Sequence, residues 1–432
     1  MTISFSRELP LRYDVDVLVA GGGPAGVAAA VAAARQGARV LLVEASGCLG
    51  GAAITALVPA FMPFDNGVDF MAGGIGTEVY NSALAEGSVL SGDTVGIYPE
   101  GLKRVYDRMV QAQPTLTLRF FTSLAAVQSI DGAVDHVVLL GKSGLCAARA
   151  KVYIDCTGDG DLCAQAGAAY DKGDAQGHMM PGTLCSAWAG IDWSRVEPVD
   201  GRRLEDAFRD GVFTVQDRHH SGMWRTGAAL GGANVGHTFG VDGTDEASLT
   251  DAMMQARKAL PEYHRYYTQY LPGFETAEIT ASGNQMGIRE TRRIRGLYVL
   301  NEKDFLSRAA FDDEIGRFSY PVDIHAPTSD EKDHQAFLEE YGQWRYGPGE
   351  SYGIPYRALI PQGFANLLVA GRCISTDRRM QSSVRVMPCC YITGQAAGVA
   401  AALATAQGSA VPAVDTAELR ARLRAMGAWL PN

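Results

Sequence analysis

Three glycines, Gly21, Gly23 and Gly26, stand in the spacing Gly-x-Gly-x-x-Gly, and an acid, Glu44, closes the apolar stretch that follows. These residue types at this spacing can hold a dinucleotide. The first glycine permits a tight turn, the second lets the backbone approach a pyrophosphate, and the third lets a helix pack closely on a strand. A helix that starts there aims unpaired N–H groups at the anion, and the acid can accept hydrogen bonds from ribose hydroxyls. A glycine turn without a ligand is the bland alternative. The motif by itself does not separate NAD from FAD.

The surrounding elements supply the context the motif needs. Asp14–Val19 reads as a short buried strand rich in β-branched residues. Ala25–Gln36 reads as a helix because it is mostly alanine, with Gly37 as its left-handed cap and Arg39–Val43 as a second strand. Strand, turn, helix and strand make a right-handed βαβ unit. The unbroken run Val17–Ala34 is also about long enough to span a bilayer. Its glycine and alanine content and the interruption at Gly21–Pro24 oppose that reading. No basic segment leads into it as in a signal peptide.

The whole chain sets further bounds. Its 432 residues suffice for one large domain or two ordinary ones, and 47% hydrophobic with 20% charged residues predicts a folded globular protein. A net charge of −10 opposes nucleic acid or an anionic membrane as partner. The eight cysteines show no Cys-x-x-Cys and no Cys/His pair at zinc spacing, so neither a metal site nor a redox disulfide is expected. Adjacent Cys389 and Cys390 are read as reduced thiols of a cytoplasmic protein.

Three later stretches favour FAD. In "SGCLGGAA" (Ser46–Ala53) a glycine pair lets backbone lie along a cofactor that extends beyond the first ribose. "AKVYIDCTGDGDLCAQAG" (Ala150–Gly167) ends a buried strand in Thr157-Gly158-Asp159-Gly160. The segment Asn366–Gly408 opens with a buried strand, turns at Gly371-Arg372 and resumes as a helix, with Pro388 suited to its first position and Gly408 to its end. Together these stretches resemble the FAD-dependent oxidoreductases of the glutathione-reductase fold. Among them, the chain is similar to bacterial flavoproteins related to fumarate reductase and succinate dehydrogenase flavoprotein subunits. The resemblance extends over "GIRETRRIRGLYVLNEKD" (Gly287–Asp304), "SYPVDIH" (Ser319–His325) and "YGIPYRALIPQGFANLLVAGR" (Tyr352–Arg372).

The resemblance implies an α/β fold: a discontinuous Rossmann-like FAD-binding domain from residues 1–63, 98–190 and 352–432, with an inserted α+β substrate or cap region at 64–97 and 191–351. It implies that Gly21, Gly23, Pro24 and Ala25 hold the diphosphate, with Glu44 on the adenosine ribose. Gly50, Gly51, Ala52 and Ala53 would run beside the ribityl chain, the edge around Ala126 would contact adenine, and Thr157-Gly158 would close over the adenosine half. Gly371 and Arg372 would meet the pyrophosphate and ribityl region. Arg385, Val386 and Met387 would lie at the pyrimidine edge of the flavin, where a helix start favours negative charge. Relatives with covalent FAD carry a histidine where this chain has Ala52, so the FAD is expected to be noncovalent.

The inserted region holds Trp193, Trp224, Trp344, His219, His220, His237 and His325, a texture suited to a substrate cleft over the flavin. His325 is the candidate base because it ends a strand-like segment and titrates near neutral pH; a hydrogen-bonded core histidine is the equal alternative. Arg289 and Arg292 could clamp a carboxylate, or pair internally with Glu290 or Glu302. Tyr352, Tyr356 and Arg357 are expected to face the cleft. Arg385 would add charge beside the flavin, against the alternative of a surface pair with an aspartate. Gln381 aligns with a substrate-binding arginine of fumarate reductases, which weakens a dicarboxylate substrate. The expected activity is FAD-dependent oxidation, by a dehydrogenase or oxidase, of a small polar molecule. Reduction of a C=C bond, an electron-carrier subunit serving a partner, and flavin use without net redox remain alternatives. A homo-oligomer is also open.

Overall fold

The computed structural model describes the chain apart from residues 1, 5, 91–94, 199, 220–221 and 432, so His220 lies outside the described residues. The central strand, β1, spans Leu11–Ala20, and its last four residues are buried. It pairs in parallel with β2, Val40–Val43, on one side and with strand Gly144–Asp155 on the other. The sheet runs Leu116–Arg119, β2, β1, Gly144–Asp155, Ala133–Gly141, Ser123–Ile130, and Leu367–Val369 adds in parallel beside Tyr153–Asp155. Strands buried on both faces read as continuous apolar runs, and that is how β2 and the end of β1 read.

Helix α1, Pro24–Arg35, starts and stops one residue earlier than its sequence suggests. It lies against the long helix Met387–Gln407 near the other end of the chain. The two backbones touch. A Cβ added at Gly394 would come 2.2 Å from the carbonyl oxygen of Ala25, and one at Gly398 would come 2.2 Å from that of Ala29. This close approach explains why α1 is built of alanine, and it answers the membrane question: Val17–Ala34 is a strand followed by a buried helix. Met387–Gln407 is itself long and apolar enough to cross a membrane, yet 89% of its apolar stretch is buried inside the protein.

A second layer stands over the C-terminal ends of the parallel strands. Its antiparallel sheet has the order Gly222–Arg225, Leu230–Asn234, Ser186–Ala189, Glu278–Ser282. Helices Gly201–Arg209 and Glu246–Tyr270 pack on it through Trp188, Phe208, Tyr267 and Phe274. Ser186–Ala189 belongs to this sheet, although its place in the sequence assigned it to the cofactor domain. The architecture is α/β, a Rossmann-like sheet with an inserted layer.

Candidate functional site

The turn after β1 gives each glycine a different task. Gly21 has φ +95°, and a Cβ there would lie 2.5 Å from the carbonyl oxygen of Cys156. At Gly26 a Cβ would lie 1.8 Å from the carbonyl oxygen of Gly21. Both positions are closed by the protein itself. At Gly23 the nearest protein atom to an added Cβ is 3.9 Å away, so a side chain would project into open cavity. Gly23 is also the N-cap of α1 and supplies no side-chain cap, leaving the first N–H groups of the helix turned toward that space. A glycine that no protein atom requires, at an uncapped helix start, fits a site built for an anion.

A cavity of about 570 Å³ runs from this turn and is lined by Gly21, Gly23, Pro24, Ala25, Glu44, Gly51, Ala52, Thr157, Gly158, Gly371, Arg372, Arg385 and Met387, all expected there. The Glu44 carboxylate accepts N–H bonds from Gly22 and Ser46, each 2.7 Å, which ties the end of β2 to the glycine turn. Buried Asp155 accepts from the Thr157 N–H and hydroxyl and from the Cys163 N–H, holding the Thr157-Gly158 turn. Arg372 pairs with Asp159 at 2.5 Å while its Nε is buried without a partner. An elongated cleft with a glycine wall, an acid at one end and an incompletely satisfied arginine fits FAD.

Several expected contacts fall elsewhere. Ala126 is exposed; the strand carries an irregularity between Leu124 and Ala126, and Thr122, Ser123 and Leu124 line the cavity instead. Gly50, at φ +111°, stands behind the wall, where a Cβ would strike Ile54 and Tyr106. Ala53 is fully buried one layer back. Val386 lines a neighbouring cavity rather than this one.

That neighbouring cavity, about 610 Å³, shares Ala52, Ile288, Arg372, Arg385 and Met387 with the first. The junction is the start of Met387–Gln407, whose N-cap, Val386, offers no side-chain cap and whose Pro388 falls at the second helical position. Arg385 reaches the Asp323 carboxylate at 2.8 Å and keeps a buried, partnerless Nε. The pair is buried in the cavity wall rather than on the surface.

Arg289 lines the second cavity with a different balance. Its Nη1 donates to the carbonyl of Pro181 and the hydroxyl of Thr183, and its Nη2 to Asn234 at 3.3 Å. Among the described residues no carboxylate pairs with it. Burial, followed by the charge of Arg385, pushes its pKa down to about 10. Glu290 is occupied by Arg293 and Arg378, and Glu302 by Arg379. Arg292 is not a clamp, because it pairs with Asp161 and lies over the Tyr170 ring. Gln381 donates to the carbonyl of Arg289, so it supports that residue from behind.

His325 lies in the same wall. Both of its nitrogens are engaged, Nδ1 with His237 Nε2 at 2.9 Å and Nε2 with Asp323 at 3.5 Å. Burial and then Arg289 hold it well below the usual histidine range, so it is not a free base of ordinary strength. His219 completes a cluster in which one nitrogen from each of the three rings lies within 4.8 Å of the others. The spacing argument against a metal site missed this convergence, because the rings come from distant segments. Burial pushes Asp217, behind His237, up, but the hydrogen bonds it accepts from His237 and from the His219 N–H hold it below the usual carboxylate range.

Tyr356 does not reach the cleft. Its ring is buried on the far side and its hydroxyl donates to the carbonyl of Val411. Tyr352, in strand Tyr352–Pro355 paired with Glu314–Phe318, is buried and held by Ser383, whereas Arg357, beyond the strand, is exposed and pairs with Asp313. Tyr320, Asp323, Thr183 and Asn234 line the cavity without having been singled out. Only Ser319–His325 lay in a stretch already marked by the resemblance.

A profile of FAD dependent oxidoreductases matches residues 16–423. Among solved structures, p-nitrophenol 4-monooxygenase from Pseudomonas putida DLL-E4 superposes with a TM-score of 0.51 at 12% identity, covering 96% of this chain and 87% of that one. A geranylgeranyl bacteriochlorophyll reductase-like protein from Thermoplasma acidophilum gives 0.44 at 12% identity, covering 96% and 84%. At 12% identity the first of these likenesses is one of fold. No curated protein matches the sequence. The chain is an enzyme of the FAD-dependent oxidoreductase family, and FAD is its cofactor.

Proposed function

We propose that the protein oxidises a small organic anion, a monocarboxylate in the simplest case, as a dehydrogenase or oxidase. FAD supplies the hydride-accepting chemistry at the junction of the two cavities. The observation that carries the reading is Arg289: a buried guanidinium in the cavity wall with three neutral hydrogen-bond partners and, among the described residues, no acid at pairing distance. A buried charge is costly unless paired, and a substrate carboxylate would complete it. Arg385, partly neutralised by Asp323, orients the other end of the substrate beside the start of Met387–Gln407. A single uncommitted guanidinium suits one carboxylate better than two. His219 and His325 flank the substrate from the cavity wall, with Asp323 behind His325.

Anaerobic incubation of the purified protein with small carboxylates and their neutral amides tests this. Carboxylates are expected to bleach the oxidised flavin absorbance and amides are not. Arg289→Gln should raise KM by about thirty-fold, the effect of removing one partner of a buried charge pair. Equal bleaching by amides, or an unchanged KM, would overturn the anion reading. If only the reduced protein reacts, and with alkenes, the direction is C=C reduction.

A further inference from the structure

Asp217, His237, His325 and Asp323 stand in a chain, and His219 joins it at the centre. A neutral imidazole has a single N–H. Asp217 faces His237 Nδ1 at 3.1 Å, and Asp323 faces His325 Nε2 at 3.5 Å, so a carboxylate stands on the outer side of each ring. Asp217 also accepts the backbone N–H groups of His219 and His237, which favours its ionised form. The inner nitrogens, His237 Nε2 and His325 Nδ1, face each other at 2.9 Å, and a ring that gives its N–H to the carboxylate behind it turns a lone pair inward. A cation between or beside them would take up such lone pairs.

A proton or a metal ion could do so. The guanidinium of Arg289 lines the same cavity and opposes either. A metal ion has the advantage of taking a third donor, and His219 provides one. Its ring centroid is 4.3 Å from that of His325 and 5.0 Å from that of His237, and its Nδ1 is buried without a hydrogen-bond partner. Carboxylates behind two of the three rings fix the tautomer that turns the free nitrogen inward, the outer-shell arrangement that metal-binding histidines use.

We propose that His219, His237 and His325 bind one divalent transition-metal ion, zinc or another borderline first-row cation. Three imidazoles without sulfur or a direct carboxylate suit that class. Two nitrogens bound to one zinc at about 2.0–2.1 Å stand at most about 4 Å apart, so the rings, whose nitrogens now lie within 4.8 Å of one another, close in on the ion by rotating. His219 and His325 line the second cavity, so the coordination position left open by three protein ligands faces it. The ion takes the place of the proton otherwise shared by the cluster. Arg289 keeps its role as anion holder, and metal binding stands whether or not that role is right.

Equilibrium dialysis of the EDTA-treated holoenzyme against zinc, read by elemental analysis alongside flavin content, tests the proposal. One zinc per chain is expected. His219→Ala and His325→Asn should lose it while retaining FAD, because neither residue lines the FAD cavity. Asp217→Asn, which leaves the three ligands in place, should weaken zinc by about 10–100-fold. A wild-type chain without zinc, or zinc held equally by both histidine variants, for instance through cysteines, would overturn it. His219 is only partly buried, so its variant keeps the test usable if His325→Asn does not fold.

Discussion

A methyl group added at Gly23 and one added at Gly26 meet opposite surroundings, although one turn holds both residues. Gly26→Ala forces a carbon to 1.8 Å from a backbone oxygen, so it should lower the melting temperature with or without FAD. Gly23→Ala has no protein atom to strike. Its methyl enters the cofactor's space, where overpacking costs about 1–3 kcal/mol and affinity falls by about ten- to a hundredfold. Flavin per chain and thermal melts of the apoprotein separate the two effects; an apoprotein equally destabilised by both would contradict the assignment. The glycines and Glu44 were legible because their spacing along the chain is itself the geometry. Arg289 could be named as a candidate, but its lack of an acid could not be read, since Glu290 is adjacent in sequence and turned toward Arg293 and Arg378. Tyr356 was misread because nearness to a cofactor segment does not say which way a side chain points. Asp217, Asp323 and Asn234 come from segments too far apart for any spacing to link them.

Elements were easier to read than contacts. The βαβ unit, the C-terminal strand and the helix ending at Gly408 follow from apolar period, alanine content and glycine caps. The pairing of α1 with Met387–Gln407 did not, because small residues on a helix do not name the partner. That pairing predicts a graded response. Gly398→Ala drives a methyl to 2.2 Å from the Ala29 carbonyl oxygen and should cost about 1–3 kcal/mol by forcing the helices apart. Gly408→Ala, in open space at φ +63°, pays only for its left-handed backbone, about 1 kcal/mol. Denaturant melts of the two variants should rank them in that order, and Gly398→Ala should also weaken FAD binding by shifting the start of α1. The strand Ser186–Ala189 was placed in the wrong layer because an apolar strand does not record which sheet it joins.

Across the whole molecule, the FAD cavity is walled by the first strand and helix, by the Thr157–Gly158 turn and by the start of Met387–Gln407. A ligand that touches such distant segments should stabilise them together. Stripping FAD should lower the melting temperature, and adding it back at about a thousand times its dissociation constant should restore about 4 kcal/mol. Limited proteolysis of apo and holo forms should show protection at both ends of the chain together. Protection at only one end would mean that the ends do not share the ligand.

The same enclosure orders events at the ribosome. While a nascent chain is still being extended, the early glycine turn has formed at most half a pocket, because the wall supplied by residues 387–407 has not yet been made. Domains generally fold as units, so the vitamin-derived cofactor can be captured durably only after residues 387–407 have been translated. Stalled or prematurely terminated products should come off colourless.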